Sequence, residues 1–215
     1  MQPLRRTLLK TLALTLLPGA PALAKPAGAA GASAGLPPAL ALPGLYDDSL
    51  DPAPYLVSEK YDGVRGVWNG RTLRFRSGRV VPAPAWFTAR LPHEPLDGEL
   101  WLGRGRFDEL SAIVRKETPA ETDWRQVRYM VFELPGAGGA FEARAKRIAE
   151  IARQSARPQL VAVEQTAVAD RPELRHRLAS IVAQGGEGLW LHLATADYRT
   201  GRSDTLVNTP ATKVD

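Results

Sequence analysis

The chain has 215 residues and no cysteine. Disulfides and thiolate metal ligands are therefore excluded, and the fold needs no oxidant. Histidine is nearly absent. His93, His176 and His192 are the three in the chain, too few and too scattered for a zinc site. No apolar run reaches the ~20 residues a spanning helix needs, so no stable membrane insertion is expected. There is no internal repeat. Acid is missing from one long stretch. Between Asp62 and Glu94 no Asp or Glu occurs, yet Arg65, Arg71, Arg74, Arg76, Arg79 and Arg90 all fall there. That run reads either as a phosphate-binding surface or as an edge hairpin kept soluble by arginine.

Residues 1–24 differ from the rest. Arg5-Arg6-Thr7-Leu8-Leu9-Lys10 gives a basic start, Leu12 to Leu17 a short apolar core, and Ala22-Leu23-Ala24 a small-x-small cleavage site. This is the order of a secretory signal. The paired arginines suggest the twin-arginine route. The whole chain holds 28 basic and 23 acidic residues. The signal takes three bases (Arg5, Arg6, Lys10) and no acid, so the remainder carries a balance of only +2. Global charge is thus weak evidence for a polyanionic partner. Residues 25–44, rich in Ala, Gly and Pro, read as a flexible linker.

Hydrophobic residues make up 44% of the whole chain, enough to supply a core for one large domain or two small ones. Leu56–Tyr61, Val64–Trp68, Leu73–Arg76 and Glu99–Leu102 read as strands, with Asn69-Gly70 as a hairpin turn. Phe107–Val114 fits a short helix with Leu110, Ile113 and Val114 inward. Val127–Leu134 and Leu160–Glu164 are further strands. In Phe141–Ala156, Phe141, Ala145, Ile148 and Ala152 share one helical face, and charged residues including Arg144 take the rest. Asp170 caps a helix whose first turn holds Arg171-Pro172 and whose buried stripe is Leu174, Leu178, Ile181 and Val182. Gly185-Gly186 ends it, and Leu189–Leu193 is the last strand. The expected class is α+β, antiparallel sheets with helices packed against them.

Lys60-Tyr61-Asp62-Gly63-Val64-Arg65 reads K-x-D-G-x-R. A lysine amine can attack the α-phosphate of a nucleotide and carry it as a phosphoramidate. Gly63 permits a tight turn beside a ligand, and Arg65 offers a cationic fork to phosphate. The same six residues also read as a plain turn between strands. In Leu96-Asp97-Gly98-Glu99, a carboxylate at a strand start suits a ribose hydroxyl or magnesium, or again a simple turn. In Tyr129 to Pro135 an aromatic can stack on a base or fill a core. Gly186-Glu187-Gly188-Leu189 offers a second carboxylate at a strand start. Tyr198-Arg199-Thr200-Gly201-Arg202-Ser203 follows. Together these describe a magnesium-nucleotide site.

The order of these motifs resembles the ATP-dependent DNA ligases, most of all the small secreted bacterial type. The matching elements are Lys60 to Arg65 preceded by Ser58-Glu59, Arg76-Ser77-Gly78, Asp97 to Leu100, Phe132-Glu133, Glu187-Gly188-Leu189 and Tyr198 to Ser203. The resemblance covers roughly residues 50–207. It implies a covalent nucleotidyltransferase fold over residues 45–207 and sealing of nicked double-stranded DNA by a monomer in the periplasm. It also implies ATP and Mg2+ as cofactors. Lys60 would be the adenylated residue, and Glu59, Arg65, Arg76, Glu99, Phe132 and Glu187 would bind ATP. Glu99 and Glu187 would also serve the metal. Two departures stand out. Asn208 replaces the first lysine of the family's terminal lysine motif. Residues 208–215 form only a short tail, too short for the oligonucleotide-binding barrel that follows in the family. An RNA ligase-like transferase and a non-catalytic nucleotide- or DNA-binding remnant are the competing readings.

Overall fold

The computed structural model describes residues 36–210. The expected signal, most of the expected linker and Lys213 lie outside the described residues. Among the described residues, ten strands and five helices occur in chain order. They are β1 (Ala41–Leu45), β2 (Tyr55–Glu59), β3 (Val64–Trp68), β4 (Leu73–Phe75), α1 (Ala85–Thr88), β5 (Leu96–Trp101), α2 (Phe107–Arg115) and α3 (Glu121–Trp124). There follow β6 (Arg128–Glu133), α4 (Phe141–Ser155), β7 (Leu160–Ala162), β8 (Thr166–Ala167), α5 (Arg171–Ala183), β9 (Gly188–Leu193) and β10 (Gly201–Pro210). Regular structure thus begins before Leu45, within the stretch whose composition suggested a linker. Among the described residues no helix is long and apolar enough to cross a membrane.

The strands form two five-stranded sheets, β1-β10-β9-β2-β8 and β4-β3-β5-β6-β7. The class is α+β as expected, but the sheets are mixed, which corrects the antiparallel expectation. β1 runs parallel to β10, and β6 parallel to β7. The second case follows from connectivity. A parallel neighbour needs a crossover, and α4 provides it between β6 and β7. Single-sequence periodicity reports strands, not the direction in which they pair.

Each sheet has its own core. Leu110, Ile113 and Val114 of α2 join Leu96, Leu100, Trp124 and Tyr129 against the β4–β7 sheet. Leu174 and Leu178 of α5 pack on Val57, Leu189 and Leu191 of the other sheet. Full burial of one such aliphatic side chain is worth ~1.5–3 kcal/mol. The start of α5 is fixed locally, since Asp170 Oδ1 accepts the Glu173 N–H at 2.9 Å. The β3–β4 hairpin turns at Asn69-Gly70, where Gly70 takes φ +90°. In α4 the buried residues are Phe141, Arg144, Ile148 and Ile151. Arg144 belongs to the inner face, against the sequence expectation, because an acid meets it there.

Candidate active site

One cavity of about 310 Å³ lies between the facing sheets. Lys60, Glu59, Arg65, Arg76, Glu99, Phe132 and Glu187 all line it, so residues spread over 129 positions are brought to one place. Lys60 stands just past the end of β2. Its N–H donates to the Gly188 carbonyl at 2.9 Å, continuing the β2–β9 pairing. That register places Glu187, the residue before β9, beside the lysine. Lys60 Nζ donates to Glu187 Oε2 at 2.7 Å, with the two side chains 27% and 37% exposed. Gly63 follows because nothing larger fits. A Cβ there would lie 2.6 Å from Glu99 Cγ and strike the Leu100 carbonyl.

Glu59 accepts both a 2.9 Å and a 2.8 Å bond from Arg104, whose Nη1 also donates to the Gln184 carbonyl. This ties the loop after β5 to the end of α5, across the mouth of the lysine site. Glu59 thus faces an arginine, and its cavity contact is shared with that duty.

On the second sheet, Arg65 is opposite Glu99 in the β3–β5 register. Its Nε and Nη2 donate to Asp97 Oδ1 and Oδ2 at 2.9 and 2.6 Å, and Nη2 donates to the Ala41 carbonyl at 3.1 Å. The fork expected to grip phosphate is therefore largely spent on a buried carboxylate. Burial pushes Asp97 up from the ordinary carboxylate range, and the Arg65 guanidinium opposes that push. Glu99 is driven higher, to about 8, by burial first. Asp97 and Glu187 push the same way, while Arg65 and Lys60 resist.

Phe132 reaches the cavity through a β-bulge. Val131 pairs with Gly98 and Glu133 with Asp97, so Phe132 is the extra residue between them. A bulge re-aims a side chain that regular pleating would send elsewhere. The Arg65 guanidinium lies 5.5 Å from the Phe132 ring centroid. Arg76 is exposed and lines the cavity from the loop after β4. Of the six arginines between Asp62 and Glu94, Arg65 and Arg76 line the cavity.

A buried polar cluster forms part of the cavity wall through Glu133, Phe141 and His192. Arg144 Nε and Nη2 donate to Glu133 Oε1 and Oε2 at 2.7 and 2.9 Å. Arg144 Nη1 donates to the Ala196 carbonyl at 2.9 Å and to the Gly139 carbonyl. His192 stacks on Phe141 with centroids 3.6 Å apart. Burial, then the Arg144 charge, lowers the His192 pKa to about 3. The ring is therefore neutral at physiological pH, and its 3.9 Å approach to Glu133 is no ion pair.

Sequence reading missed several of these groups. Arg144 and His192 carry no local signal, because they lie 11 and 59 residues from Glu133. Trp190 and Gln165 line the cavity from β9 and from the residue before β8. Trp190 directly follows the Glu187-Gly188-Leu189 motif, and that adjacency is the signal that could have found it. Among the described residues no group of three or more His, Asp or Glu side chains is arranged to hold a metal. The Glu99 and Glu187 carboxylates share the cavity. Two carboxylates suit Mg2+, which keeps waters and takes phosphate oxygens for its remaining positions.

No protein-family model matches the chain. A DNA ligase of Haemophilus influenzae is 34% identical over 154 residues, 71% of this chain and 56% of the relative. The chain thus spans about half the length of that curated relative. A solved structure from a structure-function analysis of Lig E DNA ligases is 36% identical with a TM-score of 0.76, covering 80% of this chain and 68% of that one. The Chlorella virus DNA ligase-adenylate superposes with a TM-score of 0.66 at 17% identity, over 79% and 67% of the two chains. The ATP-dependent DNA ligase of bacteriophage T7 in complex with ATP gives a TM-score of 0.63 at 16% identity, over 80% and 68%. The last two define the class of fold, that of the ligase nucleotidyltransferase domain. At the identity and coverage of the Lig E match, the chain belongs to the ATP-dependent DNA ligase family.

Proposed function

We propose that this chain seals nicked double-stranded DNA with ATP, through a lysyl-AMP intermediate on Lys60. The observation that carries the reading is Lys60 Nζ held 2.7 Å from Glu187 in a cavity shared with Glu99 and Phe132. Lys60 Nζ attacks the α-phosphorus of ATP. A P–N bond forms, the bond to the bridging oxygen breaks, and pyrophosphate leaves with the electron pair. The amine attacks only as the free base, so Lys60 Nζ first gives a proton to solvent and leaves its pair with Glu187, which stays ionised. The AMP then passes to the 5′-phosphate at the nick. Attack by the 3′-hydroxyl joins the strands and releases AMP. Glu99 and Glu187 would hold Mg2+, which neutralises charge on phosphoryl oxygens when bound. Phe132 and Trp190 come from facing sheets and suit the two faces of a base. The cavity volume falls at the low end of small-molecule sites.

The test is intact mass after incubation with ATP and magnesium. A gain of one AMP that disappears in Lys60→Ala supports the reading, and an adduct that persists in that variant overturns it. Lys60→Arg should also fail, because guanidinium stays protonated. A second reading, nucleotide binding without transfer, rests on Asn208. It is neutral at the place of the motif lysine, and its Oδ1 is buried without a hydrogen-bond partner.

Export to the periplasm as a small secreted ligase, and action as a monomer, complete the proposal. The basic start, apolar core and Ala22-Leu23-Ala24 support export.

A further inference from the structure

One cavity residue has no place in the chemistry above. Gln165 lines the cavity, and its Oε1 is buried without a hydrogen-bond partner. Native proteins satisfy nearly all such atoms, so an orphan acceptor facing a ligand site calls for a donor on the ligand. Its position in the sheet indicates which part of the ligand that is. Asn208 pairs with Trp190, and Trp190 with Ser58. The β2–β8 register pairs Val57 with Thr166 and Leu56 with Ala167, so its extension sets Gln165 beside Ser58. Gln165, Ser58 and Trp190 therefore form one row on the cavity face of the sheet. Thr166 Oγ1 donates to the Val57 carbonyl at 3.2 Å and anchors the backbone next to Gln165.

Gln165 stands two strands from Trp190, roughly 10 Å away. A flat ring lying between Trp190 and Phe132 thus shows its edge, not its face, to the carboxamide. A carboxamide is an acceptor beside a two-proton donor. Adenine carries the complement, an exocyclic amino donor beside a ring-nitrogen acceptor.

We infer that Gln165 reads the base of the nucleotide substrate, its Oε1 accepting a hydrogen bond from the exocyclic amino group of adenine. This rests on the nucleotidyl-transfer reading of the same cavity and adds the residue that selects the base. Gln165 is thereby a specificity determinant, and transfer chemistry at Lys60 does not depend on it.

The experiment measures the rate of covalent adduct formation by intact mass, on the full chain with magnesium. The nucleotides are ATP and purine riboside 5′-triphosphate, which lacks the amino group. The unmodified protein should prefer ATP by at least about tenfold, because the analogue leaves Oε1 unpaired. Gln165→Leu should lose about that factor with ATP and keep its rate with the analogue to within about twofold, so that the preference vanishes. Gln165→Glu retains an acceptor and the side-chain shape, and should still favour ATP. Equal rates with both nucleotides in the unmodified protein overturn the inference without any variant and leave the transferase reading standing. A preference that survives in folded Gln165→Leu overturns it as well. No adduct with either nucleotide overturns both readings together.

Discussion

His192 should make this fold acid-sensitive in a defined pH window. Its ring is stacked on Phe141 at 3.6 Å, its side chain is only 10% exposed, and the Arg144 cation stands nearby. The folded-state pKa is lowered from 6.5 to about 3. Between those values the unfolded chain binds a proton that the native ring refuses. Unfolding is therefore favoured as pH falls below 6.5, and the loss is complete only near 3. Each pH unit is worth ~1.4 kcal/mol, so moving from about pH 7 to about pH 5 costs roughly 2 kcal/mol from this ring alone. His192→Leu removes the titration. It also changes packing, but that change is the same at every pH. Urea unfolding of both proteins across the window gives the difference in stability at each pH. The gap should shift by about 2 kcal/mol in favour of the variant on going to about pH 5. Parallel curves would show that the ring titrates alike in the folded and unfolded states, and would refute the burial argument.

Glu99 should act with the opposite sign. Its pKa is raised from 4.5 to about 8, so its contribution to stability is full below 4.5 and declines as pH rises to 8. Glu99→Gln should be about equal to the unmodified protein in acid and more stable by a few kcal/mol above about pH 8, with urea melts at the two ends as the check. Arg144→Leu strands the buried Glu133 carboxylate and should cost about 3–5 kcal/mol, while Arg144→Leu with Glu133→Leu should recover much of it. Equal losses in the single and double variants would contradict that account. Asn208→Lys should raise the single-turnover adenylation rate by tenfold or more, because one added charge contact on a transferring phosphoryl group is worth up to ~3–4 kcal/mol. An unchanged rate would mean that another cation serves the leaving group. Protein recovered from the periplasm should begin at Lys25, read by N-terminal sequencing, and full-length protein found only in the cytosol would defeat the export proposal.

The parts of this molecule that obey local rules were legible in the chain. Val64–Trp68 is a strand with the expected bounds, Phe107 starts a helix with Leu110, Ile113 and Val114 inward, and Asp170 caps its helix. All seven candidate site residues reach one cavity because short motifs keep each functional side chain at the end of a strand or in a strand beside it. What escaped depends on pairing between distant segments. Strand direction in β1 and β7 is set by which neighbour each finds. Arg144 looks like a surface residue by helical periodicity and is buried because Glu133 lies under it. The bulge that turns Phe132 inward is a register event between two strands and leaves no mark in either one alone.

Those non-local features explain why neither sheet could carry the site by itself. The sheet with β2 and β9 supplies Lys60, the proposed nucleophile, and its carboxylate partner, held by the strand pairing of Lys60 with Gly188. The other supplies Glu99 and Phe132, held by the β3–β5 register and by the bulge. Hydrogen bonds join them at two places along the cavity. Arg65 on β3 donates to the Ala41 carbonyl of β1, and Arg104 after β5 donates to Glu59 of β2. In the first link Asp97, on the same sheet as Arg65, fixes the guanidinium plane; in the second the carboxylate of Glu59 is itself the partner across the gap. The lysine is thus positioned against the second sheet's acid by charge-assisted contacts on either side of it. Gly63, where a Cβ would collide with Glu99 and Leu100, lets the chain pass from one sheet to the other close against β5. The K-x-D-G-x-R motif therefore encodes a crossing as well as the proposed nucleophile. Its lysine ends one sheet's strand, its glycine makes the passage, and its arginine opens the strand that locks the second sheet in place.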